Sequence, residues 1–233
     1  MDRLEFLVEE RSMAEVLKVL LPRILPASWV LDENYFIRPH EGKSDLKRSI
    51  PKKLKGFAQH KEQTTGFIII QDQDSNDCRQ LKQELVALCK ANQAPNIKFL
   101  VRIVCHELEA WYLGDMKAIQ AVFPRFNPAR HLKKSLFRLP DTCQNPKTRL
   151  KDIVGDYQQI ATAQMIALTD RPKRKIALFI SAFQHGRQAV INGNRRTCRS
   201  AYFFANRCRS AGSSAMRLSS RFMICETSSL ICV

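Results

Sequence analysis

Residues 66–74 read Gly-Phe-Ile-Ile-Ile-Gln-Asp-Gln-Asp, an apolar run that ends in two aspartates one residue apart. A short β-branched run of this kind predicts a buried strand, whose last side chains reach the carboxyl edge of a sheet. In open α/β sheets that edge is where ligands bind. Two carboxylates placed there, Asp72 and Asp74, repel each other unless a cation or a proton relieves them. The alternative is an Asp-rich turn in which Asp74 or Asp77 caps the next helix.

Length and composition restrict the class of protein. The 233 residues suit one domain, or one domain with a small appendage. The hydrophobic content of 45% is ordinary for a globular protein, and no apolar run approaches the ~20 residues that span a bilayer. The first residues show no signal-peptide pattern, and the eight cysteines form no paired, closely spaced motif. We therefore expect a cytoplasmic protein with no membrane partner, no zinc site and no disulfide framework.

The last 47 residues supply a disproportionate share of the net charge of +16. Residues 187–233 hold eight Arg, no Lys and a single acidic residue, and thereby supply +7 of that charge. They also hold four of the eight cysteines and eight serines. This change of composition is typical of a coding sequence read out of frame, and we interpret the segment as a frameshifted, poorly ordered tail. The alternative is a basic nucleic-acid-binding arm, although such arms usually lack cysteine and apolar clusters.

The rest of the chain alternates between predicted strands and predicted helices. The strands are expected at residues 4–8, 34–38, 67–71 and 99–104. The helices are expected at residues 12–22, 44–54, from 77 or 78 onward, at 107–114 and at 147–166. This alternation predicts an α/β fold, with a mainly parallel sheet and helices on both of its faces.

Residue types at the helix ends predict where several helices begin and end. Ser12 has Glu15 three residues later, which predicts a capping box at the first helix. Ser44 is the expected cap of the second helix, which Pro51 is expected to interrupt. Gly114 is expected to close the short fourth helix.

Acidic residues follow three of the four predicted strands. In a parallel sheet these strand ends share one edge, so distant positions can converge on one cation. A single group of this kind could be explained by helix capping, because acidic residues favour helix N-termini. Three groups on the same edge are harder to explain by capping alone. Glu107 and Glu109 are two residues apart on a helix, so only one of them is expected to face the site. The three groups are Glu9 and Glu10, Asp72 and Asp74, and Glu107 and Glu109.

Three segments in this order resemble a family of toprim-like prokaryotic proteins catalogued as domain of unknown function 4276. They are residues 7–12 (Leu-Val-Glu-Glu-Arg-Ser), 72–74 (Asp-Gln-Asp) and 107–115 (Glu-Leu-Glu-Ala-Trp-Tyr-Leu-Gly-Asp). Gly42-Lys43-Ser44 and Pro146-Lys147 are similar to shorter blocks of that family. The resemblance covers roughly residues 4–165, and it implies a toprim-like fold related to the nuclease domain of overcoming-lysogenization-defect proteins.

The resemblance also implies a chemistry. In toprim nucleases, a Glu after the first strand and an Asp-x-Asp pair hold Mg²⁺ (or Mn²⁺) for phosphodiester cleavage. Those positions fall on Glu9, Asp72 and Asp74 of this sequence, and Glu109 joins them as a candidate catalytic residue. The family's first motif usually has Gly after the Glu. Here Glu10 stands in its place, which leaves the count of metal ions open.

Basic residues near these acids are candidate contacts for nucleic acid. Lys43, Lys47 and Lys147 are expected to bind phosphates, which would give affinity without sequence specificity. The alternative is that the first two belong to a solvated helix face, and that Lys147 is an ordinary surface residue at a helix start. His106 is similarly either a general base or a structural residue at the end of a strand.

These observations lead to two classes of function. The first is a Mg-dependent nuclease that acts with an ATPase partner in phage defence, as the resemblance implies. The second is a non-catalytic toprim-like subunit that contributes binding within a larger complex. Both take residues 1–168 as the toprim-like domain, 169–186 as a junction and 187–233 as the atypical tail.

Overall fold

A four-stranded sheet, all of whose strands are parallel, organises the fold in the computed structural model, which describes residues 1–168. The order of the strands across the sheet is β2-β1-β3-β4. The α/β prediction, with a parallel sheet flanked by helices, is confirmed. The strands are β1 (Arg3–Val8), β2 (Tyr35–Pro39), β3 (Thr65–Asp72) and β4 (Ile97–Val104).

Helices cover both faces of the sheet. Alternate residues of each strand point to opposite faces, so β3 buries Phe67 and Ile69 in one apolar cluster and Ile68 and Ile70 in the other. The first cluster includes residues of α2 and α3, and the second includes residues of α1, α4, α5, α7 and α8. The helices are α1 (Arg11–Leu20), α2 (Lys43–Ala58), α3 (Cys78–Lys90), α4 (Glu109–Leu113), α5 (Met116–Val122), α6 (Ser135–Arg138), α7 (Pro146–Val154) and α8 (Gln159–Met165).

The strand order creates a switch point between β1 and β3. The chain leaves β1 through α1 to reach β2 on one side, and then crosses back through α2 to β3 on the other side. In doubly wound sheets the crevice at such a reversal, beyond the carboxyl ends of the strands, is the usual place for a ligand. The residues that directly follow β1 and end β3 therefore occupy the favoured position.

The starts of two helices differ from the sequence prediction. Helix α1 begins one residue earlier than expected, with Glu10 at the N-cap, and Ser12 lies inside it. The Ser12 hydroxyl donates to the Glu10 carboxylate at 3.3 Å, and Glu15 binds Lys18, so the predicted capping box is wrong. The capping prediction failed because both side chains found partners nearby that were not backbone amides.

Helix α2 also departs from the prediction at its start and at its proline. It begins at Lys43, and its N-cap is Gly42 rather than the expected Ser44. The φ of Gly42 is 86°, a conformation that glycine adopts far more easily than serine. It continues through Pro51 to Ala58 because Leu46, Ile50 and Leu54 are fully buried on one side of it. This packing on both sides of the proline offsets the missing backbone hydrogen bond.

The predicted helix over residues 147–166 is two helices, α7 and α8. They are separated at Gly155, whose φ of 80° ends α7. Within residues 1–168, no helix is long and apolar enough to cross a membrane. The junction at 169–186 and the tail at 187–233, including the frameshift interpretation, lie outside the described residues.

Candidate active site at the carboxyl edge of the sheet

Glu9 and Asp72 connect the two strands at the switch point. Glu9 directly follows β1 and is only 8% exposed, and Asp72 is the last residue of β3. The Oε2 atom of Glu9 accepts a hydrogen bond from the backbone N–H of Asp72 at 3.1 Å. The backbone N–H of Glu9 donates in turn to the carbonyl of Ile70 at 3.3 Å. The sheet register thus fixes the position of the Glu9 carboxylate.

Asp72 lies among other acids. Its Oδ2 atom accepts a hydrogen bond from the backbone N–H of Leu108 at 3.2 Å, which ties the end of β3 to the segment after β4. Burial raises the pKa of Asp72 well above its usual range, and the negative charges of Glu9 and Glu109 raise it further. Burial and these two negative charges therefore disfavour the charged form of the Asp72 carboxyl group.

The same causes act on Glu9. Burial raises its pKa to about 7, and the carboxylates of Asp74 and Glu10 add to the rise. The Lys43 ammonium and the hydrogen bond from Asp72 oppose it. Glu9 and Asp72 are thus two desolvated carboxyl groups at one strand edge whose charged forms require a positive partner.

Asp74 is held in a turn but points towards a lysine. Its φ of 51° is in the left-handed region, and its backbone N–H donates to the carbonyl of His106 at 2.7 Å. His106, with a φ of 56°, occupies the same region after β4, so two neighbouring strand ends carry this uncommon conformation. The Asp74 carboxylate accepts a hydrogen bond from the ammonium of Lys43, the first residue of α2. Asp74 does not cap α3, because Asp77 does so by accepting from the N–H groups of Arg79 and Gln80.

Glu109 lies behind Asp72. It is 1% exposed, and the hydroxyl of Tyr157 donates a hydrogen bond to its Oε1 atom. Burial raises the pKa of Glu109, and the Tyr157 hydrogen bond and the charge of Lys147 oppose the rise. The buried hydroxyl of Tyr112 has no hydrogen-bond partner within the described part of the chain, and burial beside Glu109 and Asp72 raises its pKa well above its usual range.

Glu107 has a different role from Glu109, which agrees with the expectation that the two side chains point in different directions. Its Oε2 atom accepts from the backbone N–H of Lys147 at 3.0 Å, at the N-terminal end of α7. A carboxylate at that end of a helix satisfies a free N–H and complements the helix dipole. Of the two, Glu109 is the residue whose charge raises the pKa of Asp72.

The expected grouping of carboxylates is found in part. The acids after β1, β3 and β4 share one edge of the sheet, as expected, and their charges interact. In residues 1–168, however, no three Asp, Glu, His or Cys side chains are arranged as a metal-binding group. That Glu9, Asp72 and Asp74 share one cation stays a prediction, but in this conformation their carboxylates are not arranged as such a group. The reason is that Asp74 turns to Lys43, whereas Glu9 and Asp72 accept backbone hydrogen bonds.

The three candidate nucleic-acid contacts occupy different environments. Lys43 lies at the site, bound to Asp74. Lys47 forms an ion pair with Glu84 of α3 at 3.0 Å, and both side chains are exposed. Lys147 is half-buried and donates to the Oε1 atom of Gln159 at 2.8 Å. The structure therefore brings Lys43 and Lys147 to the acidic edge, whereas Lys47 lies on the surface between two helices.

Several residues of the site were not found by sequence reasoning. Gln159 donates to the Glu10 carboxylate at 3.0 Å and to the Ser12 hydroxyl at 3.2 Å, and so joins α8 to the start of α1. Tyr157 reaches Glu109 from the connection between α7 and α8. The sequence does carry a signal for that connection, because Gly155 is a helix breaker.

Comparison with known proteins identifies the family. No curated protein and no solved structure matches the chain at a significant level. A family model described as "Domain of unknown function (DUF4276)" matches residues 8–183, which is more than half of the chain. The match includes every residue of the site described above. The protein therefore belongs to the DUF4276 family.

Proposed function

We propose that this protein cleaves phosphodiester bonds of nucleic acid in a reaction that depends on Mg²⁺ or Mn²⁺. One observation carries the proposal: Glu9, Asp72 and Glu109, from three separate strand ends, interact electrostatically at the switch point of a parallel sheet. Structural acids are usually neutralised by cationic partners, as Glu5 is by Arg3 and Arg38. At the switch point, burial and the negative charges of Glu9 and Glu109 instead raise the pKa of Asp72, and a shift of this kind is typical of functional sites.

The chemistry of these side chains fits a hard divalent cation. Carboxylate oxygens are the ligands that Mg²⁺ takes from proteins, usually one or two together with waters and phosphate oxygens. Burial raises the pKa of both Glu9 and Asp72, so a positive partner would favour their charged forms. Asp74 already binds a cation, the ammonium of Lys43. Glu9, Asp72 and Asp74 would hold the metal, with Lys43 as its competitor at Asp74.

The bound metal would supply an activated water and neutralise charge on the phosphate. The protein's own residues position the ligands and the substrate. The Asp72 backbone fixes Glu9, Leu108 fixes Asp72, and the left-handed turn at Asp74 directs its carboxylate towards solvent. When Lys43 leaves Asp74, its ammonium becomes available for a substrate phosphate.

Glu109 and its neighbours form the buried side of the site. Because Glu109 is almost fully buried, it does not reach a substrate directly, and it acts through the charge of Asp72. Tyr157 holds its carboxylate in place. Lys147 lies near enough to lower the pKa of Glu109, so it balances the negative charge from the α7 side.

The wider relationships remain part of the proposal. The Glu after the first strand and the Asp-x-Asp at the end of the third support a link to toprim nucleases. From the same resemblance we propose a role in phage defence together with an ATPase partner. Fold analogy alone gives little support for activity, so the coupled acids are the stronger argument.

A non-catalytic binding subunit is the second candidate, and one contact favours it. The Lys43 ammonium already neutralises Asp74, and no three-ligand metal group is formed within residues 1–168. A protein that keeps the fold but no longer binds a metal would show these features. Such a subunit would still bind nucleic acid or its partner through the same edge.

A cleavage assay with matched variants distinguishes the two candidates. The wild-type protein, alone and with a candidate ATPase partner, is incubated with single- and double-stranded DNA and RNA, with Mg²⁺, with Mn²⁺ or with EDTA. We expect cleavage that requires the metal and is lost in Asp72→Asn. Glu62→Gln, an exposed carboxylate before β3, is the control and should cleave normally. Metal-independent cleavage, or equal activity of Asp72→Asn, would refute the nuclease, and binding without cleavage would support the second candidate.

A further inference from the structure

A cleft at the far end of α2 has a composition unlike that of the acidic edge. It is an open depression with a volume of about 360 Å³, and it is lined by Lys52, Lys53, Gly56, Phe57 and His60. Two lysines, a histidine and a phenylalanine thus line one open depression, and no acidic residue is among its lining residues. We call it the α2 cleft.

The cations of α2 fall into two sets. Those near its start are all paired with carboxylates: Lys43 with Asp74, Lys47 with Glu84, and Arg48 with Asp45. In the part of the chain that the structure describes, the later lysines Lys52, Lys53 and Lys55 form no ion pair. The helix dipole stabilises the charge of Lys55, which lies in the last turn of α2. Lys52 and Lys53 lie before that turn, so the dipole does not explain their presence. Lys52 and Lys53 therefore present uncompensated positive charge at the cleft.

The aromatic side of the cleft is held in place. The Phe57 ring packs edge-on against Phe67 at 5.5 Å, and its centroid lies 6.2 Å from that of His60. The side-chain amide of Asn96 lies 2.9 Å from the carbonyl of His60 and 3.3 Å from that of Phe57. These contacts fix the turn after α2, so the two rings are positioned before any ligand arrives.

We propose that the α2 cleft binds one nucleotide of a single-stranded nucleic acid. Lys52 and Lys53 would contact its phosphate, and the rings of Phe57 and His60 would contact its base. Lysines combined with aromatic rings are the usual elements of such sites, because every base has a face that can stack and every nucleotide carries a negative charge. A volume of this size suits a single small ligand rather than a folded partner.

The α2 cleft and the acidic edge lie at opposite ends of the same helix. Helix α2 starts at the acidic edge, where Lys43 meets Asp74, and the cleft lies at its other end. Sixteen helical residues span roughly 24 Å, so a strand that lies along α2 reaches both places. The inference rests on the proposed function for the choice of nucleic acid as ligand, but it concerns binding and not cleavage.

The test measures binding without cleavage. Fluorescence anisotropy follows a labelled oligothymidylate of about 15 nucleotides, a length within the range of single-strand sites, in EDTA and with the Asp72→Asn protein. We expect Lys52→Ala/Lys53→Ala to weaken binding roughly tenfold and to reduce the slope of log affinity against log salt by about 1.4, that is about 0.7 for each lost phosphate contact. His60→Ala should weaken binding without changing that slope.

The control has the same change of charge at another place. Lys117→Ala/Lys133→Ala removes two exposed lysines outside α2 and should retain wild-type affinity and slope. Equal losses in both double variants would overturn the proposal, because they would indicate a general charge effect. Thymidine monophosphate that competes as tightly as the oligomer would also overturn it, since the strand would then gain nothing along α2. Loss of binding to phosphatidylserine vesicles, with oligomer binding unchanged, would assign the cleft to a membrane surface instead.

Failure of this proposal is distinguishable from failure of the proposed function. A protein that cleaves nucleic acid but whose Lys52→Ala/Lys53→Ala variant binds the oligomer normally has the activity and lacks the second contact. A protein that never cleaves, yet binds the oligomer through these lysines, has the contact and lacks the activity.

Discussion

The side-chain carboxylate of Glu9 accepts a hydrogen bond from the backbone N–H of Asp72 at 3.1 Å. This single contact joins the residue after β1 to the last residue of β3, across the point where the order of the sheet reverses. It also holds a buried carboxyl group beside a second one, and burial raises the pKa of both. The stability of the protein should therefore depend on the charge at this edge.

Glu9→Gln should stabilise the metal-free protein at pH 8. The pKa of Glu9 is about 7 in the folded protein, against an ordinary value of 4.5. The contribution of Glu9 to the free energy of unfolding is therefore fully present below about pH 4.5 and is lost as the pH rises through 7. Gln keeps the acceptor oxygen for the Asp72 N–H and removes the charge. We expect a gain of up to about 2 kcal/mol at pH 8 and almost none at pH 4, measured by urea denaturation. Glu62→Gln is the matched exposed control, and an equal gain at both pH values would contradict the prediction.

Lys43→Met should raise the pKa of Glu9 above 7. The ammonium of Lys43 opposes the rise that burial and Asp74 cause, and Met removes the charge while keeping most of the side-chain volume. Carbon-13 NMR titration of the Glu9 carboxyl group measures the change directly. Lys47→Met serves as the control, because Lys47 is paired with Glu84 on the surface and should leave the Glu9 titration unaltered. A Glu9 pKa that stays the same in Lys43→Met would show that the Lys43–Asp74 contact does not persist in solution.

Tyr157→Phe should destabilise the protein by about 1–3 kcal/mol, the usual cost of leaving a buried polar group without its partner. It deprives Glu109 of the hydrogen bond that favours its charged form, so the pKa of Glu109 should rise further. A carboxyl group whose pKa is raised by folding lowers the free energy of unfolding at high pH. The loss of stability caused by Tyr157→Phe should therefore be larger at pH 8 than at pH 5. Denaturation at the two pH values measures it, and a cost independent of pH would indicate lost packing alone.

Asp77→Ala should cost about 1 kcal/mol and leave the site intact, because Asp77 caps α3 through two backbone N–H groups. Calorimetric titration with Mg²⁺ or Mn²⁺ should give the same affinity as for the wild type, whereas Asp72→Asn should lose binding while keeping the fold. The pair separates a structural aspartate from the proposed metal ligand five residues before it. Loss of metal affinity in Asp77→Ala would show that α3 helps to form the site.

Removal of residues 187–233 should leave the thermal midpoint nearly unchanged. The prediction follows from the composition of the segment, with eight Arg and no Lys, and from the family match, which ends at residue 183. A fall in the midpoint of several degrees, together with loss of a cooperative transition, would show that the segment is a genuine structural element and that the frameshift interpretation is wrong.

Sequence patterns were reliable for the strands and less so for the helix ends. The run at residues 66–74 predicted β3 and the two aspartates after it, because a strand buried on both faces is almost continuously apolar. Ser12 and Ser44 were wrong as caps, because a serine near a helix start has several possible partners within a few residues. The actual cap of α1, Glu10, makes no side-chain capping bond and so leaves no recognisable pattern.

The sequence by itself determined the parallel α/β sheet and the three acidic strand ends, because hydrophobic periodicity and the residues that follow it are local properties. Only the tertiary structure decided which groups meet. Lys43 binds Asp74 across 31 positions, and Tyr157 binds Glu109 across 48. These pairings depend on the strand order β2-β1-β3-β4 and on the break at Gly155. The physical reason is that a carboxylate at a strand end takes whichever donor the packing of distant helices brings within reach, and no local pattern records that choice.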